Sequence, residues 1–223
     1  MRQDAVTLER FYASDLGKAA ARILSGKLTD LWGESKGLSV LGLGYALPVL
    51  DAFSAGPRRM IAAVPHEHGP VKWDYSGRGN AAVAVGDPRA YLREIWRVTA
   101  PEGRIVLTAA NRAGLWSRAT RTPFGHGRPW TRSQLSNLLS TGLFQVTASS
   151  SALYMPPTDL GLVTSAAEGW EAMGRFIAPG IGGVVLIEAV KRLYAPPKGG
   201  TAAPVTDRVR IARPARAARR EEH

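Results

Sequence analysis

The stretch "SVLGLGYALPVL", residues 39–50, joins an apolar strand to two glycines and then to a short helical segment. Glycine at such a bend permits a positive φ and lets the backbone approach a ligand closely. The helix that follows offers unpaired N–H groups at its start, which suit a phosphate or another anion. Gly42 and Gly44 therefore predict a nucleotide-binding turn.

The composition limits the classes of protein to be considered. The 223 residues are 45% hydrophobic and include no cysteine. This content suits one domain with a core, and it excludes disulfides and thiolate metal sites. The start of the chain lacks the apolar segment of a secretory signal, so we expect a cytoplasmic protein. The longest aliphatic run, 181–190, is too short to span a bilayer and contains Glu188, so we expect no membrane partner.

Much of the formal net charge of +11 lies toward the end of the sequence. Residues 196–223 are rich in Pro, Ala, Gly and Arg without an apolar period, which is typical of a segment that does not fold. We therefore divide the chain into a domain, 1–195, and a disordered basic tail, 196–223. The tail has no aromatic residues for base stacking, which favours a solubilising role over a nucleic-acid contact, although such a contact stays open.

Helix-like and strand-like segments alternate through the domain. An apolar period predicts one N-terminal helix from about 8 to 31. Buried-type strands are predicted at 38–43, 59–65, 80–85, 103–110, near 144–149 and at 182–194. Helices are predicted at 45–53 with Pro48 in the first turn, at 87–101 with Asp87 as N-cap, from Thr131 as N-cap to Gly142, and around 159–176. This alternation predicts an α/β fold with a parallel or mixed sheet and helices on both faces.

Three segments carry a resemblance to a known family. They are the glycine bend "LGLGYA", the helix and strand "YLREIWRVTAPEGRIVLTAA", and the following "NRAGLWSRATRTPFGHGRPWTRSQL". Up to about Tyr194 the chain resembles a bacterial group of class I S-adenosylmethionine-dependent methyltransferases. The resemblance implies a doubly wound, mostly parallel Rossmann-like sheet, S-adenosylmethionine as cofactor, and methyl transfer to an acceptor. A catalytically inactive, methyltransferase-like binding or regulatory protein is the alternative.

Other nucleotide-binding turns fit this bend less well. A dinucleotide-binding Rossmann turn needs a third Gly or Ala at position 47, which is Leu, and an acidic residue at the end of the second strand. A P-loop needs Gly-Lys-Ser/Thr, which does not follow the bend. A plain tight turn without a ligand stays open.

The chain departs from the family pattern after its second strand. The family usually holds the ribose hydroxyls with an acidic residue at the end of that strand, whereas here Glu67 lies beyond Pro65 and His66. The chain from Pro65 to Asn80 is too short for a helix and a returning strand, so we expect the fold's edge strand three to be missing. We do not assign a metal to His66, Glu67 and His68, because three polar residues in one loop without a distant fourth ligand are typical of a solvated loop.

The resemblance implies that Gly42, Gly44, Tyr45 and Glu67 bind the cofactor. The carboxyl end of strand 103–110 and the segment after it should surround a small-molecule substrate, as in other open α/β sheets. Catalytic candidates there are Asn111 and His126. His126 is the candidate base, and the alternative is a histidine that is exposed or bonded to backbone. The substrate-binding candidates are Arg112, Trp116, Arg118, Phe124, Arg128 and Trp130.

Two interpretations of this segment stay open. Its arginines favour an anionic acceptor, or they form a solvated face. Its aromatic rings form one wall of a pocket beside Gly42 and Gly44, or they form a structural lid packed near Trp170. The oligomeric state is open as well.

Overall fold

The computed structural model describes residues 5–33, 35–53, 56–63, 80–81 and 88–193. The helices are α1 (Ala5–Ala13), α2 (Asp15–Trp32), α3 (Leu47–Leu50), α4 (Pro88–Val98), α5 (Arg132–Thr141), α6 (Gly161–Ser165) and α7 (Ala167–Ile177). The strands are β1 (Ser39–Leu43), β2 (Arg59–Ala63), β3 (Asn80–Ala81), β4 (Arg104–Ala110), β5 (Phe144–Ala152) and β6 (Val184–Lys191). The predicted N-cap Asp87, the ribose candidate Glu67 and the tail 196–223 lie outside the described residues.

The N-terminal region forms two helices where the apolar period predicts one. Ser14 interrupts the run and caps α2, because its Oγ accepts a hydrogen bond of 3.1 Å from the backbone N–H of Gly17. Gly17 in turn lies against the backbone of Phe11 and Tyr12, where a Cβ would collide with the Phe11 carbonyl. The two helices share one apolar period, so the pattern alone does not show the break. The cap and the glycine allow α1 to fold back on α2.

The described strands form two three-stranded sheets. The first has the order β1-β2-β3 and is parallel, while the second has the order β4-β6-β5 and is antiparallel. The prediction of a mostly parallel sheet is therefore correct for the first sheet and wrong for the second. The sequence did not indicate the antiparallel direction, because every residue of β6 is buried. A strand buried on both faces shows the same apolar run whether its neighbours run parallel or antiparallel to it.

Ala62 and Ala63 of β2 pair in parallel with Asn80 and Ala81, which are the start of the strand predicted at 80–85. The stretch between Pro65 and Asn80, where we expect the edge strand to be missing, lies outside the described residues.

Helices cover both faces of the second sheet, as predicted. Successive side chains of β6 point to opposite faces. Val184 and Leu186 join a core with α2, whereas Val185 and Ile187 join a core with α4 and α5. The predicted capping of α5 is confirmed, because Thr131 and Gln134 exchange side-chain-to-backbone hydrogen bonds of 3.2 and 3.1 Å.

Helix α2 contacts both sheets. Its residue Leu28 packs against the core of the second sheet and also against the core of the first, which contains Val40 and Met60. Arg104 of β4 donates a hydrogen bond of 2.6 Å to the carbonyl of Trp32 at the end of α2. The turn after β1 and the segment after β4 are thus held by one helix.

Candidate functional site

The glycine turn after β1 uses its two glycines for different purposes. A Cβ on Gly42 would lie 2.7 Å from Leu50 Cδ1 and 2.8 Å from Ala46 Cβ, so Gly42 lets α3 pack closely on the strand. Gly44 has a φ of +80°, and a Cβ built on it would meet no atom of the described residues within 4 Å. The turn therefore has the left-handed backbone that glycine favours, and no described residue fills the space beside it.

Two tyrosines stack beside this turn. The rings of Tyr45 and Tyr12, at the end of α1, lie 5.7 Å apart with 15° between their planes. Burial, with a smaller effect of Tyr45, raises the pKa of Tyr12 well above its ordinary value. Burial and the charge of Glu9 raise the pKa of Tyr45 as well. Both phenols are therefore neutral at physiological pH, which suits hydrogen-bond donation and does not suit a general base.

An open cleft of about 580 Å³ lies between the two N-terminal helices and the α3 segment. It is lined by Glu9, Tyr12, Ala13, Lys18, Ala21, Arg22, Leu47, Pro48 and Asp51. Its side chains include two of each charge sign, and Leu47 and Pro48 come directly after the glycine turn. A polar ligand with groups of both signs could bind in such a cleft.

A row of aromatic rings connects the segment after β4 to the glycine turn. The centroids of Trp116 and Phe124 lie 5.4 Å apart, those of Phe124 and Phe11 6.2 Å, and those of Phe11 and Tyr12 5.0 Å. The stacked Tyr45 completes the row. The predicted cofactor and substrate regions are thus joined through α1, which the sequence did not indicate as part of the site. The available signal was Phe11 and Tyr12 just before the Ser14 cap.

Trp116 belongs to the core. It is fully buried, and its Nε1 donates a hydrogen bond of 2.8 Å to the carbonyl of Met155. Gly183 lies so close to the indole that a Cβ there would collide with it. Trp116 therefore supports the segment from inside, as the structural-lid interpretation predicts for this ring, and Phe124 and Trp170 pack against the same core.

Asn111, a predicted catalytic residue, is buried and fully hydrogen-bonded. Its Nδ2 donates to the carbonyls of Gly180 at 2.8 Å and Gly182 at 2.7 Å. Its Oδ1 accepts from the N–H of Ala113 at 3.1 Å. These bonds hold the loop before β6 against the end of β4, so the geometry favours a positioning role for the amide.

His126, the other catalytic candidate, is exposed. Its Nε2 lies 2.5 Å from the carbonyl oxygen of Thr120, to which it can only donate. Nδ1 is then the ring nitrogen that is left to accept a hydrogen bond or a proton. His126 is therefore exposed and bonded to backbone, as the alternative interpretation of this histidine predicts.

The remaining substrate candidates lie on different sides of the second sheet. Trp130 packs against the α4 and α5 side, opposite to Trp116. The guanidinium of Arg128 lies 4.7 Å from the centroid of the Trp130 ring, and Arg112 donates a hydrogen bond of 3.2 Å to the Pro129 carbonyl. Arg118 is exposed, like Arg112 and Arg128. The structure therefore does not gather all six candidates around one point.

Neither a metal site nor a membrane span is found in the described part of the chain. No group of three His, Cys, Asp or Glu side chains there could hold a metal ion. No helix among the same residues is long and apolar enough to cross a bilayer. The set His66, Glu67 and His68 lies outside the described residues.

The sequence matches no protein-family model and no curated protein. The structure, by contrast, is similar to that of an S-adenosylmethionine-dependent methyltransferase from Thermotoga maritima, described as a possible histamine N-methyltransferase. The TM-score is 0.57 at 13% identity, over 82% of this chain and 94% of that chain. It is also similar to the [4+2]-cyclase SpnF, with a TM-score of 0.50 at 15% identity, over 80% of this chain and 84% of that chain.

At these identities the similarity establishes the fold, and it agrees with what the glycine bend and the segments around 91–135 predict. The chain has the fold of the class I S-adenosylmethionine-dependent methyltransferases.

Proposed function

We propose that the chain binds S-adenosylmethionine at the glycine turn and transfers its methyl group to an anionic small-molecule acceptor. The observation that carries this proposal is the open, left-handed turn at Gly44, at the carboxyl end of a parallel strand. Ligands in open α/β sheets bind at that end of the strands. The methyltransferase fold supports S-adenosylmethionine as the ligand of this turn.

The residues around the turn fit this cofactor. The open space beside Gly44 lets the ligand approach the backbone, and the neutral Tyr45 hydroxyl can donate a hydrogen bond to it. Lys18 and Arg22 of the adjacent cleft suit a carboxylate, while Glu9 and Asp51 suit an ammonium group. Glu67 remains the proposed partner of the ribose hydroxyls.

The cofactor, when bound, supplies an already activated methyl group, so the chain needs chiefly to align a nucleophile and to accept a proton. His126 Nδ1 is the proposed proton acceptor, because Nε2 carries the hydrogen bonded to Thr120. Asn111 is proposed to keep the loop before β6 in place. Phe124 and the rest of the aromatic row would exclude water between the two regions.

The arginines favour an anionic acceptor. Arg112, Arg118 and Arg128 are exposed, and none of them forms an ion pair within the described ranges. Guanidinium groups without an acidic partner can bind carboxylate or phosphate groups of a substrate bidentately.

Titration calorimetry of the full chain with S-adenosylmethionine, and with S-adenosylhomocysteine as the product, tests this proposal. We expect micromolar binding of both compounds. A panel of small carboxylates and phosphates, incubated with S-adenosylmethionine, should include one that yields S-adenosylhomocysteine. Absence of binding up to millimolar cofactor would show that the chain does not use it.

A binding protein without methyl transfer is the second candidate, because the amide of Asn111 and Nε2 of His126 are both bonded to backbone carbonyls. The fold is also that of a [4+2]-cyclase, so it does not by itself imply methyl transfer. Micromolar cofactor binding with no S-adenosylhomocysteine formed from any acceptor of the panel would favour this candidate.

A further inference from the structure

The C-terminal end of helix α7 exposes apolar side chains to solvent. Phe176 is 90% exposed and Ile177 is 70% exposed. On the inner side, Glu171 accepts a hydrogen bond from the N–H of Tyr154, and its buried Oε2 has no partner within the described residues. A surface helix ordinarily buries its apolar residues and exposes its carboxylates. The reversed arrangement indicates that this end of α7 faces something other than water.

Further exposed apolar side chains come from two loops that lie against each other. Asn111 bonds to the carbonyls of Gly180 and Gly182, and Gly114 packs on the backbone of Gly182. These loops carry Ile181, which is 56% exposed, and Leu115, which is 57% exposed. We call Leu115, Phe176, Ile177 and Ile181 the apolar rim.

Arginines accompany the apolar rim, and one of them, Arg175, lies near the carboxyl of Glu171. Residues 103–158 contain six arginines and no Asp or Glu. Arg112 and Arg118 flank Leu115 in sequence, Arg175 precedes Phe176, and all three are exposed. The chain as a whole carries a formal net charge of +11. The partner of this surface should therefore be both apolar and anionic.

We propose that the apolar rim docks on the surface of a lipid bilayer that contains anionic phospholipids. The four apolar side chains enter the boundary between head groups and acyl chains, and Arg112, Arg118 and Arg175 contact lipid phosphates. A second copy of the chain fits less well, because its own arginines would face these arginines. Nucleic acid fits less well too, because three of the four rim side chains are aliphatic and cannot stack on bases.

Docking at a surface needs no membrane-spanning helix. The proposal therefore departs from the expectation of no membrane partner, which rested only on the lack of a segment long enough to span a bilayer. The rim lies next to Asn111 at the end of β4. A docked chain would therefore face the bilayer with the sheet edge that carries the candidate substrate segment. This proposal rests on the exposed side chains alone and does not depend on methyl transfer.

Co-sedimentation of the full chain with vesicles tests the proposal. One set of vesicles is phosphatidylcholine alone, and the other is phosphatidylcholine mixed with phosphatidylglycerol. We expect binding to the mixed vesicles that weakens with salt. The double variant Phe176→Ser, Ile177→Ser should bind them about tenfold or more weakly, given the apolar area removed. Val98→Ser is the matched control, since Val98 is 52% exposed on α4, and it should bind like the wild type.

Thermal melting should show that both variants stay folded, because exposed apolar residues contribute little to stability. Absence of binding to the mixed vesicles would overturn the proposal. Equal binding by the rim variant and the Val98→Ser variant would also overturn it, since the basic tail alone would then carry the contact. A dimer in gel filtration that the rim variant dissociates would assign this surface to a second copy instead.

Discussion

The ring of Tyr12 stacks on the ring of Tyr45, with 5.7 Å between centroids and 15° between planes. This contact brings helix α1 to the glycine turn, because Tyr45 follows Gly44 directly. The rings of Phe11 and Phe124 extend the contact toward the segment after β4. The N-terminal helix is thus the element through which the two predicted halves of the site meet.

Replacing Tyr12 by Leu should weaken cofactor binding. The Tyr45 ring would lose its stacked neighbour and its fixed orientation, and aromatic pairs of this kind contribute about 0.5–1.5 kcal/mol. We expect about two- to tenfold weaker binding of S-adenosylmethionine by calorimetry. Tyr91→Leu is the control, because Tyr91 is a half-buried tyrosine on α4. Equal affinities of the two variants for S-adenosylmethionine would show that Tyr12 does not contribute to the cofactor site.

Asn111→Ala should destabilise the protein. The substitution leaves the carbonyls of Gly180 and Gly182 without their amide donor, at a cost of about 1–3 kcal/mol. We expect the melting temperature to fall by several degrees, whereas Asn137→Ala, at an exposed position of α5, should leave it unchanged. If Asn111→Ala melts like the wild type and loses only turnover, the amide acts in catalysis.

Trp116→Ala and His126→Ala should show which residues of the segment after β4 stabilise the fold and which act at its surface. Trp116 is fully buried, so its truncation should cost about 3–5 kcal/mol of stability. His126 is exposed, so its truncation should keep the melting temperature within about two degrees and reduce methyl transfer. Arg128→Ala should behave like the histidine variant, with a higher KM for the acceptor. A large loss of stability in His126→Ala with normal turnover would show that the loop is only a structural lid.

Glu171 should make the protein less stable as the pH rises. Burial raises the pKa of this carboxyl above its ordinary value, so the folded state favours the protonated form. Stability should therefore fall as the pH increases from the unfolded-state pKa through the higher folded-state pKa. We expect Glu171→Gln to lose less stability than the wild type between pH 4.5 and pH 7.5 in thermal melts. Identical pH profiles of the two proteins would show that burial does not raise the pKa of Glu171 in the folded state.

The sequence was most informative where local rules act. The glycine bend, the capping box at Thr131 and the strand at 104–110 follow from residues close in the chain, and the structure has all three. The antiparallel direction of β6 is not visible in sequence, because a strand buried on both faces has no direction-dependent pattern.

The site was harder to predict than the fold. Trp116 is an aromatic residue and Asn111 a polar residue, and both lie in a loop. Binding loops contain the same residue types, so the sequence alone does not distinguish a buried role from a binding role. Their burial depends on Met155 and Gly182, distant residues whose contacts no local pattern reveals. The role of Tyr12 likewise depends on how α1 folds back, which the cap at Ser14 and the close packing at Gly17 determine.

The central claim is that S-adenosylmethionine binds at the open turn of Gly44, and a matched pair of glycine variants tests it most directly. Gly44 has a φ of +80° and Gly37 a φ of +76°, and a Cβ on either would meet no atom within 4 Å in the part of the chain that the structure describes. Gly44→Leu and Gly37→Leu should therefore carry a similar backbone strain of about 1–2 kcal/mol. Calorimetry of both folded variants with S-adenosylmethionine should show binding lost in Gly44→Leu and retained in Gly37→Leu. Equal affinity of the two variants would contradict the claim.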